Sequence, residues 1–344
     1  MKKKKKKKRK IYKLTIVFII LDLLAIGGYF LTYGPWGYFR ELLINTAMKT
    51  MTHQYFAYIF YNGETVNKIL NSNYFVEIKE NVKADDIIID TREKKQYEND
   101  YEKELFTRVN GNNEYKIINV KIGNSSGFLV AIYHPEKVHV IHIKNFNQNG
   151  YGERVFTMCN RYGGTVCINA GGFVDNGTGS DIPLGYVIDG GEIIWPLEGH
   201  DTAKGNIIGL NEEGKLILMS NATGTEALEA GIKEAIEFGP FLIVNGEPLE
   251  IVGNPWGKSP RVAIAQRKDG VMMFLVIDGE NYINGATLQD MIDILLKYGA
   301  YNAANLDGGH STSLTVNGKL YNNPPSIAKS QGGRYIVTGF GLIP

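Results

Sequence analysis

Ala303-Ala304-Asn305-Leu306-Asp307-Gly308-Gly309-His310-Ser311-Thr312 reads as a short apolar strand that runs into a carboxylate, two glycines and a series of polar side chains. Such a segment leaves Asp307 at the end of a strand with backbone amides and hydroxyls beside it. Glycines at that point let the backbone approach a ligand and offer N–H groups to an anion. An Asp-Gly-Gly turn alone marks no more than a hairpin. The pattern repeats, however: residues 271–277 run apolar into Asp278-Gly279, and residues 166–169 run into Asn169-Ala170-Gly171-Gly172-Phe173. Two carboxylates at strand ends on one rim suit acid–base or glycosyl chemistry.

Working outward, the chain from about residue 117 is a series of short apolar strands. They are expected near residues 137–143, 185–188, 193–195, 207–210, 216–219, 241–244, 262–266, 311–316 and 335–340. Asp189-Gly190, Asn245-Gly246, Asp269-Gly270 and Asn317-Gly318 lie between several of them, and such dipeptides are strong hairpin signals. His139 and His142 are three apart on a strand, so they face opposite sides and cannot share a metal. A helix is expected from Thr287, whose spacing to Asp290 makes a capping box. Leu288, Met291, Ile292, Leu295 and Leu296 form its face and Gly299 its stop. A second helix is expected over residues 226–237, with Leu228, Ile232 and Ile236 inward. Many strands and few helices indicate an α+β fold, a mixed β-sheet core with a few covering helices.

Arg261 opens a strand, and Arg334 follows Gly332-Gly333. A guanidinium presents a planar fork of donors, suited to phosphate or carboxylate. Cys159 and Cys167 each sit in an apolar run. They could pair, but two buried free thiols is the expected reading, since cysteine is among the most buried residue types.

Asn169–Phe173, Pro260-Arg261-Val262-Ala263-Ile264, Asp278-Gly279, Gly285-Ala286-Thr287-Leu288, Asn305–Ser311 and Gly333-Arg334 occur in an order and spacing that resemble the phosphodiester glycosidase family. The resemblance covers roughly residues 117–344, with Asn-Leu-Asp-Gly-Gly its most specific part. It departs at His310, where the family usually has a further glycine, and at Asn-Ala-Gly-Gly-Phe, where the family has Asn-Gly-Gly-Phe. The resemblance implies release of a sugar from a phosphate oxygen. It implies Asp307 and Asp278 as catalytic acids, in roles it does not divide between them. Asn169, Gly171, Arg261, Gly308, Gly309, His310, Ser311 and Arg334 would bind substrate, the arginines at the phosphate. His310 is open to two readings, a donor toward phosphate or a structural histidine. No cofactor or metal is implied, and no ligand run of loop spacing motivates a bound divalent cation such as calcium.

The front of the chain is of another kind. Residues 1–33 carry ten basic side chains, Lys2 to Lys10 and Lys13, against Asp22, a net of +9; the whole chain is at +1, so the remaining 311 residues carry −8. A mildly acidic body argues against a nucleic-acid partner, which needs a basic surface. Residues 14–33 carry no charge but Asp22 and are long enough to cross a bilayer. The basic flank places residues 1–13 in the cytoplasm and everything after the span outside. Ala25-Ile26-Gly27 has the small-x-small pattern of a cleaved signal peptide. The apolar run continues through Tyr29, Phe30 and Leu31, which favours a retained anchor. Residues 34–116 are expected to form a juxtamembrane helix, with Phe39, Leu42, Leu43, Thr46 and Ala47 on one stripe, followed by a charged stalk; residues 117–344 form the catalytic domain.

The sequence thus points to a single-pass membrane protein whose extracellular domain hydrolyses a sugar-1-phosphodiester, its partners the membrane and an anionic cell-envelope glycan or exopolysaccharide. The alternative is a protein that binds or assembles anionic cell-surface glycans without turnover. Both need the arginines, but only the enzyme needs paired, unneutralised carboxylates.

Overall fold

The computed structural model describes residues 2–48, 54–80, 82–148, 150–175, 180–196, 203–279, 284–325 and 332–344, with side chains from residue 12 onward. The chain divides into two units: residues 1–74 with 253–255, and residues 75–252 with 256–344.

In the first unit the basic block and the apolar run form one helix, α1 (Lys2–Tyr33), of which Tyr12–Tyr33 is long and apolar enough to cross a membrane. The expected juxtamembrane helix is broken into α2 (Gly37–Met48), α3 (Tyr55–Phe60) and α4 (Gly63–Ser72). Asn62 starts α4 by accepting from the Thr65 amide, which satisfies one of the donors a helix start leaves open. Ile44, Ala47, Ala57, Tyr61, Val66 and Ile69 pack together in a small core. Ala47 and Leu43 of the expected stripe take part, but Ile44 is the fully buried residue, because α2 must meet two helices and not one surface.

The second unit is built on an antiparallel sheet whose strands, in spatial order, are Glu247–Pro248, Phe241–Val244, Ala300–Leu306, Arg261–Arg267, Met272–Ile277, Ser125–Ile132 and Tyr115–Ile122. Met272–Ile277 shows why its sequence is apolar throughout. Met273, Leu275 and Ile277 face one hydrophobic cluster, and Met272, Phe274 and Val276 face another. A strand buried on both faces has no polar side to alternate with. The first cluster is closed by α5 (Asp100–Phe106), through Leu105 and Phe106, and by a helix over Leu288–Lys297. The second is closed by two further antiparallel sheets. One orders Lys319–Leu320, Leu314–Val316, Val166–Asn169, Thr338–Leu342 and Val138–His142, and is backed by α6 (Val155–Arg161). The other orders Glu192–Trp195, Val187–Asp189, Ile232–Glu237, Gly205–Asn211 and Leu216–Ala222, and is backed by α7 (Gly224–Glu229). The helix over Leu288–Lys297, α8, has the expected capping box between Thr287 and Asp290.

The α+β class stands, and its core is several antiparallel sheets instead of one mixed sheet. Short Asn-Gly and Asp-Gly turns can join only antiparallel neighbours, whereas parallel pairs need crossovers of about a dozen residues. Residues 226–237 are not one helix. α7 ends at Glu229, Gly231 takes a left-handed φ of 83°, and Ile232–Glu237 continues as a strand between two partners. Leu228, Ile232 and Ile236 match helical spacing, but the glycine and the sheet around it override that periodicity. The charged segment expected as a stalk packs onto the main sheet. Arg267 Nη2 donates to Glu102 Oε1 at 3.0 Å and to Asp269 Oδ2 at 2.8 Å, Lys94 Nζ donates to Glu102 at 2.6 Å, and Ile88 and Asp90 donate backbone bonds to Lys268 and Asp269. Both signs in the segment serve this network. Cys159 and Cys167 are not free thiols: they form a disulfide with Cα atoms 6.0 Å apart, joining α6 to the strand that ends in Asn169. Their apolar settings were compatible with either state, and only the approach of helix to strand decides it. His139 and His142 meet different carboxylates, Glu234 at 3.3 Å and Asp189 at 3.1 Å.

Candidate active site

Three strands of the main sheet end together. Val262 pairs with Leu306 and Arg261 with Ile277, so Asp307, Arg261 and Asp278 stand at one rim. The neighbouring sheet is bonded to the same rim, because the Asp307 amide donates to Ala170 O at 2.8 Å. Asn169 completes that joint. Its Nδ2 donates to Asp307 O at 2.6 Å and its Oδ1 accepts from Ser313 N at 2.9 Å. Both ends of its amide are therefore engaged in holding the Asp307 turn, and Asn169 positions the site from behind. A Cβ on Gly171 would stand 2.8 Å from Thr338 Oγ1, the hydroxyl that accepts from the Gly171 amide at 3.0 Å. At Gly308 a Cβ would stand 2.6 Å from Pro260 O, and Gly309, at a φ of 61°, donates to that same carbonyl at 2.9 Å. The two glycines thus fix the turn against the strand carrying Arg261.

Asp307 is partly buried. Burial pushes its carboxyl up to about 6, against the opposing pull of the Ser311 hydroxyl, the Arg334 charge and the Gly308 amide, with Asp175 adding to the rise. Arg334 enters from the segment before the last strand. Its Nη2 lies 2.6 Å from Asp175 Oδ1 and its guanidinium stacks 5.1 Å above the Phe173 ring. Asp307, Ser311, Arg334, Asp175 and Phe173 thus form one electrostatic group. His310 sits beside it in the 3-10 turn Gly309–Ser311, partly buried. Thr312 Oγ1, Ser313 Oγ and Asn305 Oδ1 are buried and have no hydrogen-bond partner among the described residues.

The other two charged residues of the rim are engaged differently. Asp278 is buried; its Oδ1 accepts from Asn322 Nδ2 at 2.8 Å and its Oδ2 from the Asn323 amide at 2.9 Å. Asn322 also accepts from Leu314 N and donates to Thr312 O, so Asp278 anchors the chain that follows Asp307. Arg261 is buried as well. It donates to the carbonyls of Trp256, Gly257 and Ala286, and burial pushes it down to about 10. The structure thus brings Arg334 into electrostatic contact with Asp307, while Asp278 and Arg261 brace the same rim. Asp175 and Asn322 carried no sequence signal, since neither sits at a strand end. Glu237 was hidden by the helical reading of its segment. It ends a strand of the adjoining sheet, accepts from the Tyr186 amide at 3.3 Å, and is held above the usual carboxylate range by burial. Among the described residues no group of three or more His, Cys, Asp or Glu stands together as a metal site.

The family profile of the phosphodiester glycosidases matches residues 162–343, the part that contains Asn169, Asp307 and Arg334. The chain belongs to that family. A prophage-derived uncharacterized protein of Bacillus subtilis, YomE, is 29% identical over 178 residues, which is 50% of this chain and 27% of that protein. The bovine N-acetylglucosamine-1-phosphodiester alpha-N-acetylglucosaminidase is 38% identical over 66 residues, 19% of this chain and 12% of the enzyme. The chain therefore spans well under a third of the length of these curated relatives. In three dimensions it is similar to the catalytic domain of the zebrafish enzyme of that name, auto-inhibited by its pro-peptide. The TM-score is 0.55 at 21% identity, covering 69% of this chain and 85% of that one. At that identity the likeness speaks for the fold.

Proposed function

We propose that the second unit is a phosphodiester glycosidase that hydrolyses a sugar-1-phosphodiester and releases the sugar. The reading rests on one observation above the rest: a carboxyl held up to about 6 stands within electrostatic reach of an arginine, on the rim built from the family's motifs. Arg334, oriented by Asp175, holds the non-bridging oxygens of the phosphate and stabilises the charge that develops there. Asp307 acts at the anomeric carbon as base or nucleophile. In the overall step the bond from that carbon to the bridging oxygen breaks, and the phosphate monoester leaves with the oxygen and its electron pair. Water supplies the new oxygen on the sugar and gives up a proton. A phosphate monoester leaves without much protonation, so the site can work with fewer acids than an alkoxide leaving group demands. Asn169, Gly171, Gly308 and Gly309 shape the turn, Ser311 bonds the Asp307 carboxyl, and Asp278 and Arg261 keep the rim in register. His310, in the turn that follows Asp307, would donate to the phosphate.

We further infer that residues 14–33, within the apolar stretch Tyr12–Tyr33, cross the cell membrane once, with residues 1–13 in the cytoplasm and the second unit outside, where anionic envelope glycans or exopolysaccharide are the substrates within reach. The basic block before the span supports this orientation. Two measurements test the function. Release of reducing sugar from an N-acetylglucosamine-1-phosphodiester by the full chain is expected, and binding of anionic glycan without any turnover of phosphodiesters would favour the assembly protein. Protease added to intact cells should remove residues beyond the span; full protection with an intact membrane would overturn the topology.

A further inference from the structure

We infer that α3 is a membrane-docking element that lies in the outer headgroup boundary of the bilayer crossed by α1; this rests on the reading of α1 as a membrane span. Within Tyr55–Phe60 only Ala57 faces the small helical core. Tyr55, Phe56, Tyr58, Ile59 and Phe60 are 40–59% exposed. A six-residue helix with five large apolar side chains turned outward is costly in water, and contiguous patches of this kind mark a surface that something covers.

The position of α3 shows what covers it. Tyr33 Oη donates to Phe60 O at 2.7 Å, Tyr61 Oη donates to Thr32 O at 3.1 Å, and the rings of Tyr33 and Tyr61 lie 6.0 Å apart. Residues 60–61 are thus tied to the last two residues of the span. The 22 residues of the apolar stretch measure about 33 Å as a helix, close to the hydrocarbon thickness, so Thr32 and Tyr33 come out at the boundary. Helix α3 is about 9 Å long, on the scale of the headgroup zone on one side of a bilayer. Residues 50–63 contain no Asp, Glu, Lys or Arg, so no permanently charged side chain opposes insertion. Tyrosines with a polar tip and an apolar body are the side chains favoured at that depth. Tyr29, Phe30 and Tyr33 of the span are exposed as well, and Tyr33 is tied to Phe60 and Tyr61, so the same bilayer covers both.

The test uses the full chain reconstituted in phosphatidylcholine vesicles. The native cysteines are joined in a buried disulfide, so a thiol-reactive fluorophore reports an introduced cysteine alone. Label is placed by Ile59→Cys in α3, Ile19→Cys in the span and Lys319→Cys on an exposed hairpin of the second unit. At Ile59 we expect quenching by lipids spin-labelled near the headgroup, and iodide quenching at least about threefold weaker than at Lys319, as for a side chain immersed in the boundary. Iodide quenching at Ile59 equal to that at Lys319, with Ile19 quenched by deeply labelled lipid, overturns the docking of α3 and leaves the span intact. Protection from iodide without quenching by any lipid label also overturns it, in favour of a second copy or another protein. Absence of quenching at Ile19 by deep labels removes the span itself, and the docking with it.

Discussion

Asp307→Asn is expected to abolish turnover while making the protein more stable at neutral pH. Burial lifts the carboxyl from 3.8 to about 6. Since one pH unit of displacement corresponds to about 1.4 kcal/mol, holding the ionised form in place costs up to about 3 kcal/mol. The folded protein prefers the protonated acid, so this contribution is intact below 3.8 and is lost as pH rises toward about 6. Asparagine is neutral throughout and does not lose it. Part of the gain is offset, because the amide accepts from Ser311 and Gly308 with a neutral oxygen, and charge-assisted bonds are the stronger kind. We therefore expect the variant to exceed the parent by about 1–2 kcal/mol at pH 7.5, with the gap closing below about pH 4. Urea unfolding of the full chain in detergent, followed at both pH values, measures the gap. Sugar release on the same preparations should fall at least about a hundredfold. A variant that is less stable than the parent at pH 7.5 would show that Ser311 and Arg334 outweigh burial. Near-normal turnover would refute a chemical role for Asp307.

Arg334→Met removes the charge that pulls the Asp307 carboxyl down, so the acid limb of the pH–rate profile should move to higher pH and KM for a phosphodiester should rise; an equal loss on an uncharged glycoside would contradict the phosphate role. Gly308→Ala forces a Cβ against a backbone carbonyl that cannot swing away and should destabilise by about 1–3 kcal/mol in thermal unfolding, whereas Gly163→Ala, with open space around it, tests the milder strain of a φ of 73° alone. Cys159→Ser with Cys167→Ser opens a link across eight residues, and the unfolding midpoint should fall by an amount equivalent to about 2 kcal/mol. His139 is raised by its hydrogen bond to Glu234, so its stabilising effect is present below its unfolded value and fades as pH rises through the folded one. His139→Gln should accordingly lower the unfolding midpoint more at pH 5.5 than at pH 8.5.

Much of this protein is local and therefore legible in its sequence. The apolar N-terminal helix, the basic block, the hairpin dipeptides, the capping box at Thr287 and Asp290, and the strands that end in Asn169, Asp278 and Asp307 all depend on residues close together in the chain. What the tertiary structure decided are the matters that depend on which local pieces meet. Ile232–Glu237 is a strand because two neighbours offer it hydrogen bonds, and its helical spacing is overridden. Cys159 and Cys167 pair because α6 crosses the strand ending in Asn169. Residues 94–102 are fixed to the main sheet because their charges find Arg267 and Asp269, more than a hundred residues away. At the rim, sequence placed two acids and two arginines alike at the ends of strands. Only the folded chain engages both oxygens of Asp278 with Asn322 and Asn323, directs Arg261 to three carbonyls, and leaves Asp307 beside Arg334. A residue's type and spacing set what it can do, and the hydrogen bonds its neighbours demand of it set what it does.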